Sequence, residues 1–236
     1  MQLFYNPTIK KSDTEIVFPK DESKHIVKVL RKNIGDKLNI TNGKGFLFTA
    51  EITDVNQNKC RALIQDFKEE RDKKYHLHLA VAPTKMNDRF ETFLEKATEI
   101  GLDSITPIIC DHSERKIVKI NRLERVLQSA MKQSLHFTLP KINEAISFKD
   151  FVEQEQNEQK FIAHCEELDK KSLQKEMKPG GNYTVLIGPE GDFSPEEIEL
   201  AIKNSFLPVT LGNTRLRTET AAIVAAHTAA MINEFQ

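Results

Sequence analysis

The first part of the chain shows the hydrophobic pattern of one helix followed by strands. Residues 21–33 carry apolar side chains at helical spacing on one face: Ile26, Val29 and Leu30. Asp21 or Ser23 is suited to cap this helix. The runs KLNIT, FLFTAEITDV and KCRALIQDF are typical of strands, and the Asn-Gly in NGKG (42–45) indicates a hairpin loop. The pattern predicts a small, mostly β barrel with one helix over residues 1–70.

The second part of the chain alternates strands with helices. It follows KEERDKK (68–74), which has no apolar residue and suits a linker. The predicted strands are YHLHLAVAP, DSITPIIC, KFIAHC, NYTVLIG and LPVTLG, and the predicted helices are DRFETFLEKATEIG, NRLERVLQSAMKQS, SPEEIELAIKN and TETAAIVAAHTAAMINEF. This alternation predicts an α/β domain over residues 75–236 with a mainly parallel sheet, whose ligands bind beyond the carboxyl ends of the strands.

Composition excludes several classes of protein. A hydrophobic content of 39% and a charged content of 29% are ordinary for a soluble globular protein. The chain has no apolar run of about 18 residues and no signal-peptide pattern at its N-terminus, so we expect a cytoplasmic location without a membrane partner. Cys60, Cys110 and Cys165 have no metal-ligand spacing and are expected to be small buried hydrophobes. His76 and His78 share a strand face, but no third ligand has suitable spacing, so we expect no metal site.

Charge is distributed unevenly along the chain. The net charge is −1, yet residues 1–74 contain 15 basic and 11 acidic residues. This excess fits a basic RNA-binding module, and it also fits a chance distribution. The candidate RNA-binding residues are Lys24, Lys28, Arg31, Lys32 and Arg89. The alternative for the lysines is an ordinary solvated helix face.

A glycine loop follows the strand NYTVLIG, in the stretch LIGPEGDFSPEEI (186–198). Ser194, Pro195 and Glu197 have the spacing of a capping box with proline in the first helical position. GPEG matches neither the dinucleotide-binding spacing nor a phosphate-binding P-loop. Because Glu190 would repel a phosphate, we expect a neutral or cationic ligand here. The alternative is a plain tight turn.

A second glycine loop, LGNTRLRTETAA (211–222), follows the next strand. Arg215 and Arg217 precede a helix N-terminus, where positive charge is unfavourable unless an anion offsets it. An RNA phosphate or a carboxylate such as Glu190 could be the anion that offsets this positive charge. Two such loops at consecutive strand ends predict a shared cleft.

The final helix has its own start signals and an alanine stripe. Thr218 or Thr220 can cap the helix, and Glu219 suits the positive end of its dipole. Alanines recur at i, i+4 and i+8, which allows another element to approach closely. This stripe indicates core or dimer packing rather than a cofactor site.

The two loops together closely resemble the C-terminal motifs of the ribosomal RNA small subunit methyltransferase E family, a SPOUT-class family of S-adenosylmethionine-dependent methyltransferases. The resemblance continues, in order, through HIVKVLR (25–31), DRFETFLEKATEIGLDSITP (88–107), RLERVLQSAMKQS (122–134) and HCEE (164–167). It implies a PUA-like barrel followed by an α/β domain with a deep trefoil knot, assembled as a homodimer. The implied activity is methylation of N3 of one uridine in small-subunit (16S) ribosomal RNA, with the RNA or the 30S particle as partner.

The resemblance also implies roles for individual residues. The residues expected to hold S-adenosylmethionine are Leu186, Ile187, Gly188, Glu190, Gly191, Leu211, Gly212, Leu216 and Thr220. Arg217 is expected to stabilise the developing uridine anion or to bind its phosphate. The catalytic base is open between Glu219, Glu190 and solvent hydroxide. His164 and Glu166 form either a satisfied structural pair or a contact at the edge of the cleft.

Two positions depart from the family pattern. Asn213-Thr214-Arg215 stands where many relatives have Gly-Pro-Arg, and Ser134-Leu135-His136 lacks an arginine expected on the RNA side. These departures concern individual RNA contacts and leave the cofactor loops unchanged. Two other functions are kept as alternatives: a non-catalytic RNA-binding or ribosome-assembly factor, and a SPOUT methyltransferase with another RNA target. A nicotinamide dehydrogenase is disfavoured because the dinucleotide glycine spacing is missing.

Overall fold

The computed structural model describes residues 2–70, 73–154, 159–166 and 170–234. The chain divides into two units, one formed by residues 1–72 with 131–139 and the other by residues 73–130 with 140–236. Part of the predicted linker is strand, because β5 extends to Glu69. Arg71 and Asp72 of that linker lie outside the described residues, as does Glu167 of the HCEE motif.

The elements before the linker are β1 (Leu3–Tyr5), β2 (Glu15–Val17), α1 (Lys20–Lys24) with a π-helical turn (His25–Val29), β3 (Lys37–Thr41), β4 (Phe46–Asp54) and β5 (Arg61–Glu69). The strands form a sheet of order β1-β3-β4-β5-β2. The β1–β3 pair is parallel and the other pairs are antiparallel. The predicted hairpin between β3 and β4 is confirmed. Its loop is held by Asn42, whose side-chain oxygen accepts from the Lys44 backbone N–H at 2.8 Å.

The predicted helix over residues 21–33 is shorter and begins differently. Pro19 occupies the N-cap position without a side-chain hydrogen bond, so capping by Asp21 or Ser23 was wrong. The Ser23 hydroxyl is buried instead, where it donates to the Phe18 carbonyl and accepts from the Cys60 N–H. The π-helical turn has more residues per turn than an α-helix, so the α-helical spacing no longer holds, and Val29 is 69% exposed. Its predicted place on the apolar face was therefore wrong.

The remaining elements are β6 (His76–Val81), α2 (Asn87–Ile100), β7 (Ser104–Ile109), α3 (Ile120–Ser134), β8 (Lys141–Ile142), β9 (Ile146–Ser147), α4 (Phe148–Val152), β10 (Gln159–Ala163), β11 (Lys171–Ser172), α5 (Leu173–Glu176), β12 (Asn182–Ile187), α6 (Pro195–Lys203), β13 (Leu207–Thr210) and α7 (Thr218–Glu234). They confirm the predicted alternation of strands and helices. Two local signals also hold. α2 ends at Gly101, whose φ of 103° is left-handed, and α6 starts with the predicted capping box.

The second unit is built on a parallel sheet of order β11-β13-β10-β12-β6-β7-β8, with β9 paired to β7. β10 lies between β12 and β13, and Ala163 at its end pairs with both Ile187 and Val209. The carboxyl ends of these three strands therefore meet at one edge of the sheet. This arrangement places the two glycine loops on either side of β10.

α7 closes the second unit by packing against α2, β6 and β12. Its alanines supply the close approach, since Ala222, Ala225, Ala226 and Ala229 are almost completely buried. In the described residues, no helix combines the length and the apolar character that crossing a bilayer requires.

Candidate functional site

The loop after β12 is a tight turn in close contact with its surroundings. The Asp192 N–H donates to the Pro189 carbonyl at 3.0 Å and closes the turn. A Cβ at Gly188 would lie 3.1 Å from the Phe193 ring, and one at Gly191 would lie 3.1 Å from the Cβ of His112. A side chain at either position would therefore crowd its neighbour unless that neighbour shifted by a few tenths of an ångström.

The loop after β13 is more open. The Thr210 hydroxyl donates to the Gly212 carbonyl at 2.8 Å and accepts from the Gly212 N–H at 3.2 Å. Gly212 has a φ of 149°, and a Cβ placed there would meet no atom within 4 Å. Unlike Gly188, this glycine borders free space.

Two adjoining clefts lie where these loops meet the end of β10. The β13 cleft has a volume of about 250 Å³ and is lined by residues 163–165, 170, 209–216 and 221. The β12 cleft has a volume of about 260 Å³ and is lined by residues 163, 165, 187–190, 192, 215–218 and 221. They share Ala163, Cys165, Arg215, Leu216 and Ala221. The two glycine loops thus form the predicted common cleft.

The sequence-predicted cofactor residues divide into two groups. Those that line a cleft are Ile187, Gly188, Glu190, Leu211, Gly212 and Leu216, together with the predicted catalytic Arg217. Leu186, Gly191, Glu219 and Thr220 are not among the lining residues in the described chain. Leu186 is completely buried in the hydrophobic core of the second unit, which leaves it no exposed side-chain surface.

Glu190 holds the loop against a neighbouring segment. Its Oε1 accepts from the Lys85 backbone N–H at 3.0 Å. The ion pairs found among the described residues do not join Glu190 to Arg217 or Arg215. Arg217 is exposed and precedes the first residue of α7, and its carbonyl accepts from the Ala221 N–H. The side chains of both arginines therefore line the cleft without a carboxylate partner in the described chain.

The threonines of the second loop differ from the expected capping pattern. The Thr218 hydroxyl is buried and donates to the Gly188 carbonyl at 3.0 Å, so it joins the two loops. Thr220 is exposed on the first turn of α7. Glu219 buries its Oε2, which has no hydrogen-bond partner in the described structure.

At the end of β10, the surroundings of His164 and Cys165 differ from those expected from the sequence. Both ring nitrogens of His164 are buried without a hydrogen-bond partner in the described structure, so a satisfied pair with Glu166 was wrong. Burial and the nearby Lys170 lower the His164 pKa to about 4. The Lys170 ammonium bonds instead to the backbone carbonyls of His164 and Glu166, at 2.6 Å each. Cys165 is exposed and lines both clefts, although a buried thiol was expected.

Three side chains brace the first glycine loop and were not predicted for that role. The Glu197 Oε1 accepts from the Asp111 N–H at 3.0 Å, while its Oε2 accepts from the Ser194 N–H. Burial raises the Glu197 pKa against the opposing effect of these hydrogen bonds. His112 is hydrogen-bonded through Nδ1 to the Gly191 and Asp192 carbonyls. Asp192 binds the Cys165 N–H at 2.6 Å. Glu197 was predicted only as a member of the capping box with Ser194, and Asp192 had a sequence signal in its position directly after the glycine loop.

The predicted RNA-binding residues lie on the surfaces of the two units. In the first unit, Lys24, Lys28 and Arg31 are exposed and Lys32 is partly exposed along one short segment. Arg89 is partly exposed in the first turn of α2 in the second unit. His78, in contrast, is hydrogen-bonded to the Thr106 hydroxyl at 2.8 Å, as an ordinary structural histidine would be.

Comparison with known proteins identifies the class of this fold and site. A family model described as an RNA methyltransferase domain matches residues 71–230, and a model described as an RNA methyltransferase PUA domain matches residues 18–65. The protein is therefore of the RNA methyltransferase class. The predicted combination of a PUA-like unit and a parallel-sheet α/β unit is confirmed.

Individual relatives identify the family more closely. Ribosomal RNA small subunit methyltransferase E from Buchnera aphidicola is 34% identical, and the match covers 89% of this chain and 86% of the relative. The crystal structure of a probable rRNA-methyltransferase from Porphyromonas gingivalis is 38% identical with a TM-score of 0.91, and the match covers 98% of each chain. Ribosomal RNA small subunit methyltransferase E from Neisseria gonorrhoeae, bound to S-adenosyl methionine, is 28% identical with a TM-score of 0.84, and the match covers 98% of this chain and 96% of that one. The chain belongs to the ribosomal RNA small subunit methyltransferase E family.

Proposed function

We propose that this protein transfers a methyl group from S-adenosylmethionine to N3 of a specific uridine in 16S ribosomal RNA. The observation that carries the proposal is the meeting of two glycine loops at the carboxyl ends of β12 and β13, on either side of β10. Ligands of open parallel sheets bind at such edges. The similarity to a relative crystallised with S-adenosyl methionine supports the same cofactor here.

The chemistry of the clefts fits this cofactor. S-adenosylmethionine has a cationic sulfonium and no phosphate, and the β12 cleft contains the carboxylates of Glu190 and Asp192. The β13 cleft is open beside Gly212, where backbone groups can approach a ribose or an adenine closely. We assign binding to Ile187, Gly188, Leu211, Gly212 and Leu216. When bound, the cofactor supplies an electrophilic methyl group.

The chain's own residues supply charge and orientation. Uridine N3 carries a proton at neutral pH, so the reaction needs a base or a nearby positive charge. Arg217 lines the cleft without a carboxylate partner in the described chain, which suits stabilisation of a uridine anion. Of the two candidate bases, Glu190 already accepts a backbone hydrogen bond, while Glu219 keeps a buried, unpartnered oxygen. Glu190 lines the β12 cleft and Glu219 does not, so the base stays open between these two residues and solvent hydroxide.

The predicted N-terminal domain, residues 1–70, is proposed to bind RNA. Lys24, Lys28, Arg31 and Lys32 offer phosphate contacts along one segment, and Arg89 offers a further contact on the second unit. The match to a PUA domain of RNA methyltransferases supports this role. The methyltransferase domain is proposed to comprise residues 75–236.

We also propose a cytoplasmic homodimer with a knotted second unit. The proposed substrate, ribosomal RNA, supports the location. The alanines of α7 pack within the second unit, whereas Met231 of the same helix is 46% exposed and offers an apolar contact to a second copy, which supports the interface. Light scattering coupled to gel filtration tests the dimer, and a mass of one chain at micromolar concentration contradicts it. The trefoil knot is tested by extending both chain ends outward and asking whether the backbone path can be straightened; a path that straightens contradicts the knot.

The activity is tested with small ribosomal subunits purified from cells that lack the modification. Protein and S-adenosylmethionine are incubated with these subunits or with free 16S RNA, and the digested nucleosides are analysed by mass spectrometry. We expect 3-methyluridine at one position, with no product from transfer RNA. Methylation of transfer RNA alone would support another target. If neither RNA is methylated but RNA is still bound tightly, the result would support a non-catalytic RNA-binding factor.

A further inference from the structure

Asp192 connects the two walls of the cleft. Its Oδ2 accepts from the Cys165 backbone N–H at 2.6 Å, and its Oδ1 accepts from the Phe193 N–H at 2.9 Å. The first bond is a short, charge-assisted contact between the loop after β12 and the end of β10. Asp192 adopts a φ of 63°, a left-handed conformation that aspartate tolerates better than most residues. The carboxylate is therefore held in one place beside the cleft.

The charge of Asp192 reaches both clefts. Asp192 itself lines the β12 cleft, while Cys165, His164 and Lys170 line the β13 cleft. Burial and then the Asp192 charge raise the pKa of the Cys165 thiol. The same charge opposes the lowering of the His164 pKa by burial and Lys170. A ligand that spans the two clefts would consequently experience the field of this carboxylate.

The charged groups that face the cleft differ in position. Glu190 is a second carboxylate of the β12 cleft and is bonded through Oε1 to the Lys85 backbone N–H, whereas Asp192 is bonded to the end of β10, which both clefts share; Arg215 and Arg217 contribute positive charge. Lys170 is bound to the carbonyls at the end of β10. With two arginines present, the cleft needs a fixed anion if it is to accept a cation favourably.

We propose that Asp192 makes the cleft selective for a cationic ligand, so that S-adenosylmethionine binds more tightly than its neutral product, S-adenosylhomocysteine. This inference rests on the proposed function. Methyl transfer removes the positive charge together with the methyl group. The attraction to Asp192 is then lost, and release of the product is favoured. Asp192 is thus a specificity-determining residue that also positions the end of β10.

The test compares the affinities of the two ligands for the purified protein by titration calorimetry. Asp192→Asn keeps the size of the side chain and removes its charge. We expect the Kd of S-adenosylmethionine to rise about three- to tenfold, and that of S-adenosylhomocysteine to change by less than about twofold. The preference of the wild type for the cation should also shrink at high salt.

Glu199→Gln is the matched control, because Glu199 is exposed on α6 in the same unit and its replacement removes the same charge. It should leave both affinities unchanged. Amide hydrogen exchange at Cys165 reports separately on the positioning bond. Should Asp192→Asn fail to fold, Asp192→Gly is measured in its place, since glycine accepts the left-handed backbone.

The outcomes separate this inference from the proposed function. Equal weakening of both ligands, with an unchanged ratio of affinities, would show that Asp192 acts only as a structural clamp and would overturn the selectivity. Binding of neither ligand by the wild-type protein, with or without ribosomal RNA, would instead remove the proposed cofactor site itself. The proposal is supported if Asp192→Asn reduces the preference for S-adenosylmethionine over S-adenosylhomocysteine and Glu199→Gln does not.

Discussion

The hydroxyl of Thr218 donates a hydrogen bond of 3.0 Å to the carbonyl of Gly188, and both groups are buried. This bond joins the first turn of α7 to the loop after β12. The two loops that line the cleft are therefore coupled directly rather than through the sheet alone. A change at the start of α7 should consequently alter the first glycine loop.

Replacing Thr218 with valine tests this coupling. Valine keeps the shape of the side chain but leaves the buried Gly188 carbonyl without its donor, which should lower the free energy of unfolding by about 1–3 kcal/mol. Chemical denaturation measures the loss. Thr228→Val is the control, because that hydroxyl donates to the Val224 carbonyl within α7. An equal effect of the two substitutions would contradict a special role for Thr218.

Replacing Gly188 with alanine tests the tight packing of the same loop. The added Cβ would lie 3.1 Å from the Phe193 ring and 3.2 Å from the Phe193 nitrogen, so the loop must move. We expect a loss of about 1–3 kcal/mol in unfolding free energy and weaker binding of S-adenosylmethionine. Gly181→Ala is the control, because its nearest neighbour is the end of the flexible Gln159 side chain. Wild-type stability and affinity in Gly188→Ala would refute the packing requirement.

Arg217→Ala tests the assigned electrostatic role. Removal of the guanidinium should reduce the rate of methyl transfer about 10²- to 10³-fold, whereas the affinity for S-adenosylmethionine should change little. Arg217→Lys should recover part of the rate because it keeps the charge without the planar geometry. Single-turnover kinetics with saturating cofactor measure the step. The exposed Lys203→Ala serves as control, and a wild-type rate in Arg217→Ala would rule out the role.

His164 should make stability depend on pH. Its folded-state pKa is about 4, below the ordinary 6.5, so the unfolded state binds the proton at higher pH than the folded state. The free energy of unfolding should therefore fall by about 1–3 kcal/mol as pH decreases from 6.5 to 4. His164→Leu should flatten this decrease in denaturation curves, whereas His227→Leu, at an exposed site, should not. An unchanged pH profile in His164→Leu would exclude His164 as its source.

The basic segment of the first unit should contribute to RNA affinity by neutralising phosphates. Replacing Lys28 and Arg31 together with alanine should reduce the slope of log K against log salt by about 1.4, because each phosphate that is no longer neutralised on single-stranded RNA accounts for about 0.7. Filter binding at several salt concentrations measures the slope. Lys175→Ala with Lys203→Ala removes two charges from the second unit as a control. An unchanged slope would indicate that the segment is an ordinary solvated surface.

Local sequence signals predicted the elements well where the physical cause was itself local. The capping box at Ser194 and Glu197 and the end of α2 at Gly101 depend on a few neighbouring residues, and both were confirmed. The helix near residue 21 was less predictable. There Ser23 bonds to Phe18 and to Cys60, and the second of these partners is 37 residues away. That tertiary contact replaced the expected cap.

The sequence by itself determined the alternation of strands and helices, the presence of two glycine loops and their meeting at one sheet edge. Only the tertiary structure decided what each side chain in those loops contacts. Glu190 binds the Lys85 amide across 105 residues, and Asp192 binds the Cys165 amide across 27 residues. Such partners are set by the order of β10, β12 and β6 in the sheet. Periodicity and capping depend on residues close in the chain, so they cannot identify groups that strand order brings together.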